Sequence, residues 1–170
     1  MRRVRYSVAV SLDGYIAGPK GEADWIIMDP AIDFGAMFEQ FDTFLLGRRT
    51  FEAMGPGSQR GTRGIKTVVF SRTLRQQDYP GVTIVAERVE ETVAALRAES
   101  GKDIWLFGGG SLFRSLLDAG LVDTVEVAIM PVLLGGGIPL LATPAGQKKL
   151  HLTGHKIYPT GIVSLEYAVQ

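Results

Sequence analysis

The sequence predicts an α/β sandwich: a mixed, mostly parallel sheet with helices flanking it. Three observations carry this. Thr43–Leu46, Thr67–Phe70 and Ile104–Phe107 are continuously apolar, as strands covered on both faces must be. Segments of helical period separate the strand candidates, which is the pattern of strand–helix–strand units. The last strand candidate, 161–169, alternates instead: Val163, Leu165, Tyr167 and Val169 against Ser164, Glu166 and Ala168. Such a strand has one wet face and an antiparallel neighbour.

The first strand spans 3–11, where Val4, Tyr6, Val8 and Val10 alternate with Arg5, Ser7 and Ala9. That period, and the lack of a long unbroken apolar core, argue against a secretory leader despite the basic residues at 2, 3 and 5. Phe34, Met37, Phe38 and Phe41 recur at i, i+3, i+4 and i+7 and predict a helix. A strand at 43–47 follows and runs into Gly47-Arg48-Arg49-Thr50. Phe51 and Met54 continue as a short apolar segment, and Gly55-Pro56 breaks it. The stretch from Gly55 to Gly64 reads as a polar, glycine-rich loop, with basic residues at Arg60, Arg63 and Lys66.

Strands are expected at 66–71, ending in Ser71-Arg72-Thr73, and at 82–86. Val89, Val93 and Leu96 mark a helix that has Glu87, Glu90 and Glu91 near its positive N-terminal end and stops at Gly101. The strand at 103–107 empties into Gly108-Gly109-Gly110, and Leu112, Phe113, Leu116 and Leu117 then follow at helical spacing. Strands at 123–130 and 161–169, with a short one at 153–158, complete the sheet. A second glycine cluster, Gly135–Gly137, lacks a following helical pattern and reads as a loop crossing a strand edge or closing the site.

A chain of 170 residues fits one domain with a core of its own. It has no cysteine, which excludes disulfides, thiolate metal sites and cysteine nucleophiles. Eighteen basic residues balance eighteen acidic ones, so the field that non-specific nucleic-acid binding requires is missing. No apolar run nears the ~20 residues that span a bilayer, so a cytoplasmic protein with neither nucleic-acid nor membrane partners is expected. His151 and His155 lie in no helical pattern and near no carboxylate pair, so no metal site is expected. No G-x-S-x-G motif supports a serine hydrolase.

The chemistry that remains is anion binding. A buried strand passing through glycines into a helix leaves unpaired N–H groups at the positive end of the helix dipole, and glycine lets a ligand approach the backbone. Arg48 and Arg49 oppose the dipole of the helix they open, a placement that a bound anion explains. Ser71 and Arg72 stand at a third strand end, and ligands of open α/β sheets bind beyond the carboxyl ends of strands. Together the three strand ends suit a site for several phosphates.

Four segments, VSLDGYIA, LLGRRTFEAM, VVFSRTL and FGGGSLF, followed by GLVDTVEVAIMPVLLGGGIPLL, resemble the dihydrofolate reductase superfamily. The resemblance is nearest to its branch that contains the reductase domain of riboflavin biosynthesis (RibD C-terminal-like). It implies a dihydrofolate-reductase-like three-layer sandwich forming a single domain over 1–170, with NADPH as hydride donor. It further implies that Gly47, Arg48, Arg49 and Thr50 hold cofactor phosphates, and that Ser71 and Arg72 lie near the adenosine 2′-phosphate. Gly108, Gly109, Gly110, Ser111 and Leu112 would form the pyrophosphate loop with a cis Gly108–Gly109 bond, and Ala9 and Ile16 would touch the nicotinamide end. Asp33 lies near the family's substrate-binding carboxylate, with Asp24 and Asp29 as rivals, and Asp13, Asp24 and Trp25 are candidate substrate contacts. The expected activity is reduction of a small pterin- or pyrimidine-like heterocycle, and the alternative is a redox-inactive nucleotide-binding module of the same fold. Such proteins tend to form homodimers.

Overall fold

The computed structural model describes residues 1–170. Its strands are β1 (Val4–Ser11), β2 (Tyr15–Ala17), β3 (Phe41–Gly47), β4 (Lys66–Phe70), β5 (Thr83–Val85), β6 (Asp103–Gly108), β7 (Thr124–Met130), β8 (Ile138–Pro139), β9 (Leu150–Ile157) and β10 (Val163–Val169). The helices are α1 (Phe34–Phe38), α2 (Arg48–Ala53), α3 (Gly55–Gln59), α4 (Val89–Ala98) and α5 (Gly110–Asp118). Eight strands form one sheet in the order β5-β4-β3-β6-β1-β7-β10-β9. From β5 to β7 every pairing is parallel, and β10 is antiparallel to both of its neighbours. The sheet is therefore mixed and mostly parallel, as the sequence predicts.

The continuously apolar strands are divided residue by residue between two cores. Leu45 of β3 faces the larger cluster, with Val4, Tyr6, Ile104 and Leu106 from the sheet, Val93 and Leu96 from α4, and Phe113, Leu116 and Leu117 from α5. Its neighbours Phe44 and Leu46 face the smaller cluster, with Val69, Trp105, Phe51 of α2 and Val82. Successive side chains of a strand point to opposite faces, so a strand buried on both faces needs no alternation. The rings of Tyr6 and Phe113 stack at 3.8 Å and 19°, fixing α5 on β1. Burial of Tyr6 among these side chains pushes its phenol pKa upward.

Three expectations need correction, and one small sheet was not expected. The helix expected through Phe41 ends at Phe38, and Phe41 opens β3 instead. Its ring is buried 5.0 Å from Trp105 and beneath the Arg5 guanidinium, a burial that outweighs helical spacing. The polar stretch after Met54 is not all loop: α3 forms there, with Pro56 at the start of the helix, where the missing N–H is harmless. The short strand near 153–158 is an eight-residue edge strand, β9, in register with all of β10 through one irregularity at Glu166/Tyr167. A separate two-stranded sheet, β2 with β8, escaped the sequence because strands of three and two residues carry no period.

Candidate active site

An open groove of about 2280 Å³ runs past the carboxyl ends of β3 and β6 and across the face of β1 and β7. At one end two helix starts meet. Gly47 precedes α2 and Gly109 precedes α5, and neither helix has a side-chain cap. In α5 the Phe113 N–H closes the first turn on the Gly109 carbonyl at 3.0 Å. The N–H groups of Gly110, Ser111 and Leu112 precede that bond and have no intrahelical acceptor. They line the groove, where the helix dipole favours an anion.

The glycines are required by close approach. A Cβ at Gly108 would stand 3.3 Å from Thr50 Oγ1, and φ of +153° at that residue already disfavours a side chain. A Cβ at Gly110 would come within 2.9 Å of the Pro139 carbonyl oxygen. The Gly108–Gly109 peptide is cis, as the resemblance implied. The cradle thus has the shape and the donors for a dinucleotide's phosphates, and the chemistry of its lining fits the cofactor expected from the sequence.

The charged groups at this end differ in availability. Arg48 is paired with Glu52 one turn on, at 3.1 Å, while Arg49 is exposed and has no carboxylate partner. Ser71 and Arg72 lie at the end of β4 but do not line the groove. The Ser71 hydroxyl accepts from the Thr73 and Leu74 N–H groups at 3.1 and 3.0 Å and so closes its own turn, leaving the exposed Arg72 as the available group there.

The middle of the groove is formed by Ala9 of β1 and Ile16 of β2, both expected at the nicotinamide end. Beyond them lie residues that sequence reasoning missed. Ser7 shares its face of β1 with Ala9, two residues away, and Phe107 immediately precedes the triple glycine. Trp105 donates from Nε1 to the Ser7 carbonyl at 2.9 Å. Met37 and Phe38 of α1 and the segment Ile26–Met28 also line the groove, with the Phe38 ring 5.2 Å from that of Trp105. The period-two rule applied to β1 identifies Ser7; the 26–28 wall carries no sequence signal.

Of the three candidate acids, only Asp33 lines the groove. Its carboxylate also caps α1, accepting from the Ala36 N–H at 2.9 Å. Asp24 is exposed outside the groove. Asp29 is buried elsewhere and accepts from the Thr160 hydroxyl at 2.6 Å and the Ala31 N–H at 2.8 Å. Thr160, then Ala31, hold its carboxyl below the usual carboxylate range. The expected substrate contacts Asp13 and Trp25 also lie off the groove. Trp25 donates to the Glu22 carbonyl within its own loop at 2.9 Å. Asp13 accepts from the Ser11 hydroxyl (2.7 Å), the Leu134 N–H (3.0 Å) and the Gly135 N–H (2.7 Å). These donors, Ser11 foremost, lower its pKa to about 2 and fasten the second glycine cluster to the turn after β1.

The sheet order, the uncapped glycine turn between β6 and α5 and the groove beside β1 define a dihydrofolate-reductase-like fold. The match to known proteins is specific: the profile of the RibD C-terminal domain covers residues 2–164, and the chain belongs to that family. It is 35% identical over 178 residues to the uncharacterised protein YyaP of Bacillus subtilis, covering 98% of this chain and 94% of YyaP. Among solved structures it resembles the diaminohydroxyphosphoribosylaminopyrimidine deaminase/5-amino-6-(5-phosphoribosylamino)uracil reductase of Thermotoga maritima (TM-score 0.74, 18% identity), covering 99% of this chain and 57% of that one. It also resembles Enterococcus faecalis dihydrofolate reductase complexed with NADP(H) (TM-score 0.68, 20% identity), covering 99% of this chain and 96% of that one. No helix is long and apolar enough to cross a membrane.

Proposed function

We propose that this protein is an NADPH-dependent reductase that delivers hydride to a small pterin- or pyrimidine-like heterocycle. The observation that carries the reading is the juxtaposition of the phosphate cradle (Gly47–Thr50 with Gly108–Leu112) and a walled cleft over Ser7 and Ala9 in one groove. When bound, NADPH supplies the hydride, and the residues of this chain supply position and charge. The first-turn N–H groups of α5 and the Arg49 guanidinium hold the phosphates, and the Arg72 guanidinium is the group available to the 2′-phosphate. Ala9 is small enough to let a flat ring lie against β1. The Asp33 carboxylate is the acid that faces the acceptor and hydrogen-bonds its ring nitrogens.

Turnover of NADPH with a panel of oxidised pterins and pyrimidines, followed by loss of the cofactor's near-ultraviolet absorbance, tests the reading. Saturable consumption with one of them is expected. Saturable NADPH binding without turnover of any acceptor would favour a redox-inactive module of the same fold. That second reading draws on the Asp33 carboxylate's engagement as a helix cap.

A further inference from the structure

The two edges of the main sheet are not alike. β5 is three residues long, the short kind of edge that discourages pairing. β9 is eight residues long, with seven of them exposed, and no segment of the chain pairs with its outer side. It contains no proline to block a further strand. A long open edge is a template for pairing, because its outward N–H and C=O groups lack partners.

The irregularity at Glu166/Tyr167 gives β9 an apolar face. Leu150 lies opposite Val169, Leu152 opposite Tyr167 and Ile157 opposite Val163. These β10 residues share one face of the sheet, on which Leu165 and Val169 pack against the larger core. The extra residue on β9, Thr153, thus brings Leu150, Leu152 and Ile157 onto that face although their numbers differ in parity. They carry the apolar face out to the rim, where they are 42%, 47% and 73% exposed. Exposed apolar side chains gathered beside an open edge mark an interface.

The opposite face of the same strand carries charge. Lys156 lies across from Ser164, and Gly154 from Glu166. A Cβ at Gly154 would stand 3.2 Å from a Glu166 carboxylate oxygen, so glycine leaves room for that side chain to lie over β9 toward the rim. Lys156 and Glu166 are exposed, and neither makes an ion pair within the chain. Asp29 feels the Lys156 charge, but its oxygens are engaged by Thr160 and Ala31.

We propose that β9 of a second copy of this chain pairs antiparallel with this β9, about a two-fold axis between Thr153 and Gly154, so that one sheet runs through both copies. Leu150 then faces the partner's Ile157, and Leu152 faces the partner's His155, all on the apolar face. A slip of one residue would set Leu152 against the partner's Lys156 and Ile157 against the partner's His151, which disfavours that register. On the charged face Glu166, lying over Gly154, and the partner's Lys156 become diagonal neighbours within reach of long side chains, and the symmetry makes this contact twice. The edge complements itself in apolar pattern and in charge, which selects a second copy over a foreign strand. The groove runs onto Thr153, Gly154 and Lys156, so the partner's strand borders its open end. The pairing does not depend on what the groove binds.

Sedimentation velocity on the full chain from about 1 to about 100 µM tests the pairing, with circular dichroism to show that each variant is folded. A dimer is expected. Ile157→Asp is expected to raise its dissociation constant about tenfold or more. Lys156→Glu and Glu166→Lys are each expected to raise it about threefold or more, and the two together to return it to within about twofold of the unaltered protein. A monomer throughout that range would leave the edge to another protein or to none, and would overturn the proposal. A dimer that Ile157→Asp leaves intact lies on another surface and overturns it equally. Single charge reversals without effect, or losses that the double exchange does not restore, would overturn the two-fold register and with it the pairing.

Discussion

The Thr160 hydroxyl donates to the buried Asp29 carboxylate at 2.6 Å, with the Thr160 N–H adding a second bond at 3.2 Å, across 131 residues of sequence. This contact ties the segment that carries Ile26–Met28 to the turn between β9 and β10. Removing Asp29 leaves that wall of the cleft without its anchor. Asp29→Ala is therefore expected to raise KM for the acceptor about tenfold or more, the effect of misplacing a positioning wall, with little change in NADPH affinity. Steady-state kinetics with separately measured cofactor binding checks this. An equal loss in both affinities would mean a general disturbance.

Asp13 makes a pH-dependent prediction. Its folded pKa of about 2 lies below the ordinary value of 3.8. A depressed carboxyl contributes stability that is fully present above the unfolded value and is lost as pH falls through the folded one. Asp13→Asn is expected to lower Tm at neutral pH, and the gap to the unaltered protein should close between about pH 4 and pH 2. Thermal melts across that window measure it, and a gap independent of pH would contradict the assignment.

Gly110 tests the packing of the cradle. A methyl there meets the Pro139 carbonyl at 2.9 Å, and backbone cannot step aside as a side-chain tip can. Gly110→Ala is expected to cost about 1–3 kcal/mol and to lower Tm by roughly 2–10 °C. Differential scanning calorimetry reads the shift.

The parts of this architecture that sequence made legible share a cause. The strands expected at 43–47, 66–71 and 103–107 lie inside the sheet, where burial on both faces forces apolar runs, and positions 108 and 110 favour glycine because of a positive φ beside Thr50 and the close Pro139 carbonyl. Those constraints are local and leave a mark on composition. The cleft beside β1 is shaped by long-range contacts such as Trp105 to Ser7 and Asp29 to Thr160, which carry no period and no spacing. That is why Asp13, Asp24 and Trp25 were expected at the substrate, while Phe38, Phe107 and Ser7 line the groove.

Two neighbouring arginines give a contrast in binding. Arg48 is held by Glu52 in a surface ion pair of the kind worth about 0–1 kcal/mol, whereas Arg49 has no partner to leave. Arg49→Ala is expected to weaken NADPH by about 1.5–3 kcal/mol, the worth of a hydrogen bond to a charged group. Arg48→Ala is expected to weaken it less. Titration calorimetry on the two variants orders them, and the reverse order would show that the Glu52 pair opens to admit the phosphate.

The most direct measurement is calorimetric titration of the unaltered protein with NADPH and, separately, NADH. Saturable binding of NADPH at one site per chain, tighter than NADH by about tenfold or more, is the expected result. No saturation with either nucleotide would contradict the assignment of the β6–α5 turn as a dinucleotide cradle.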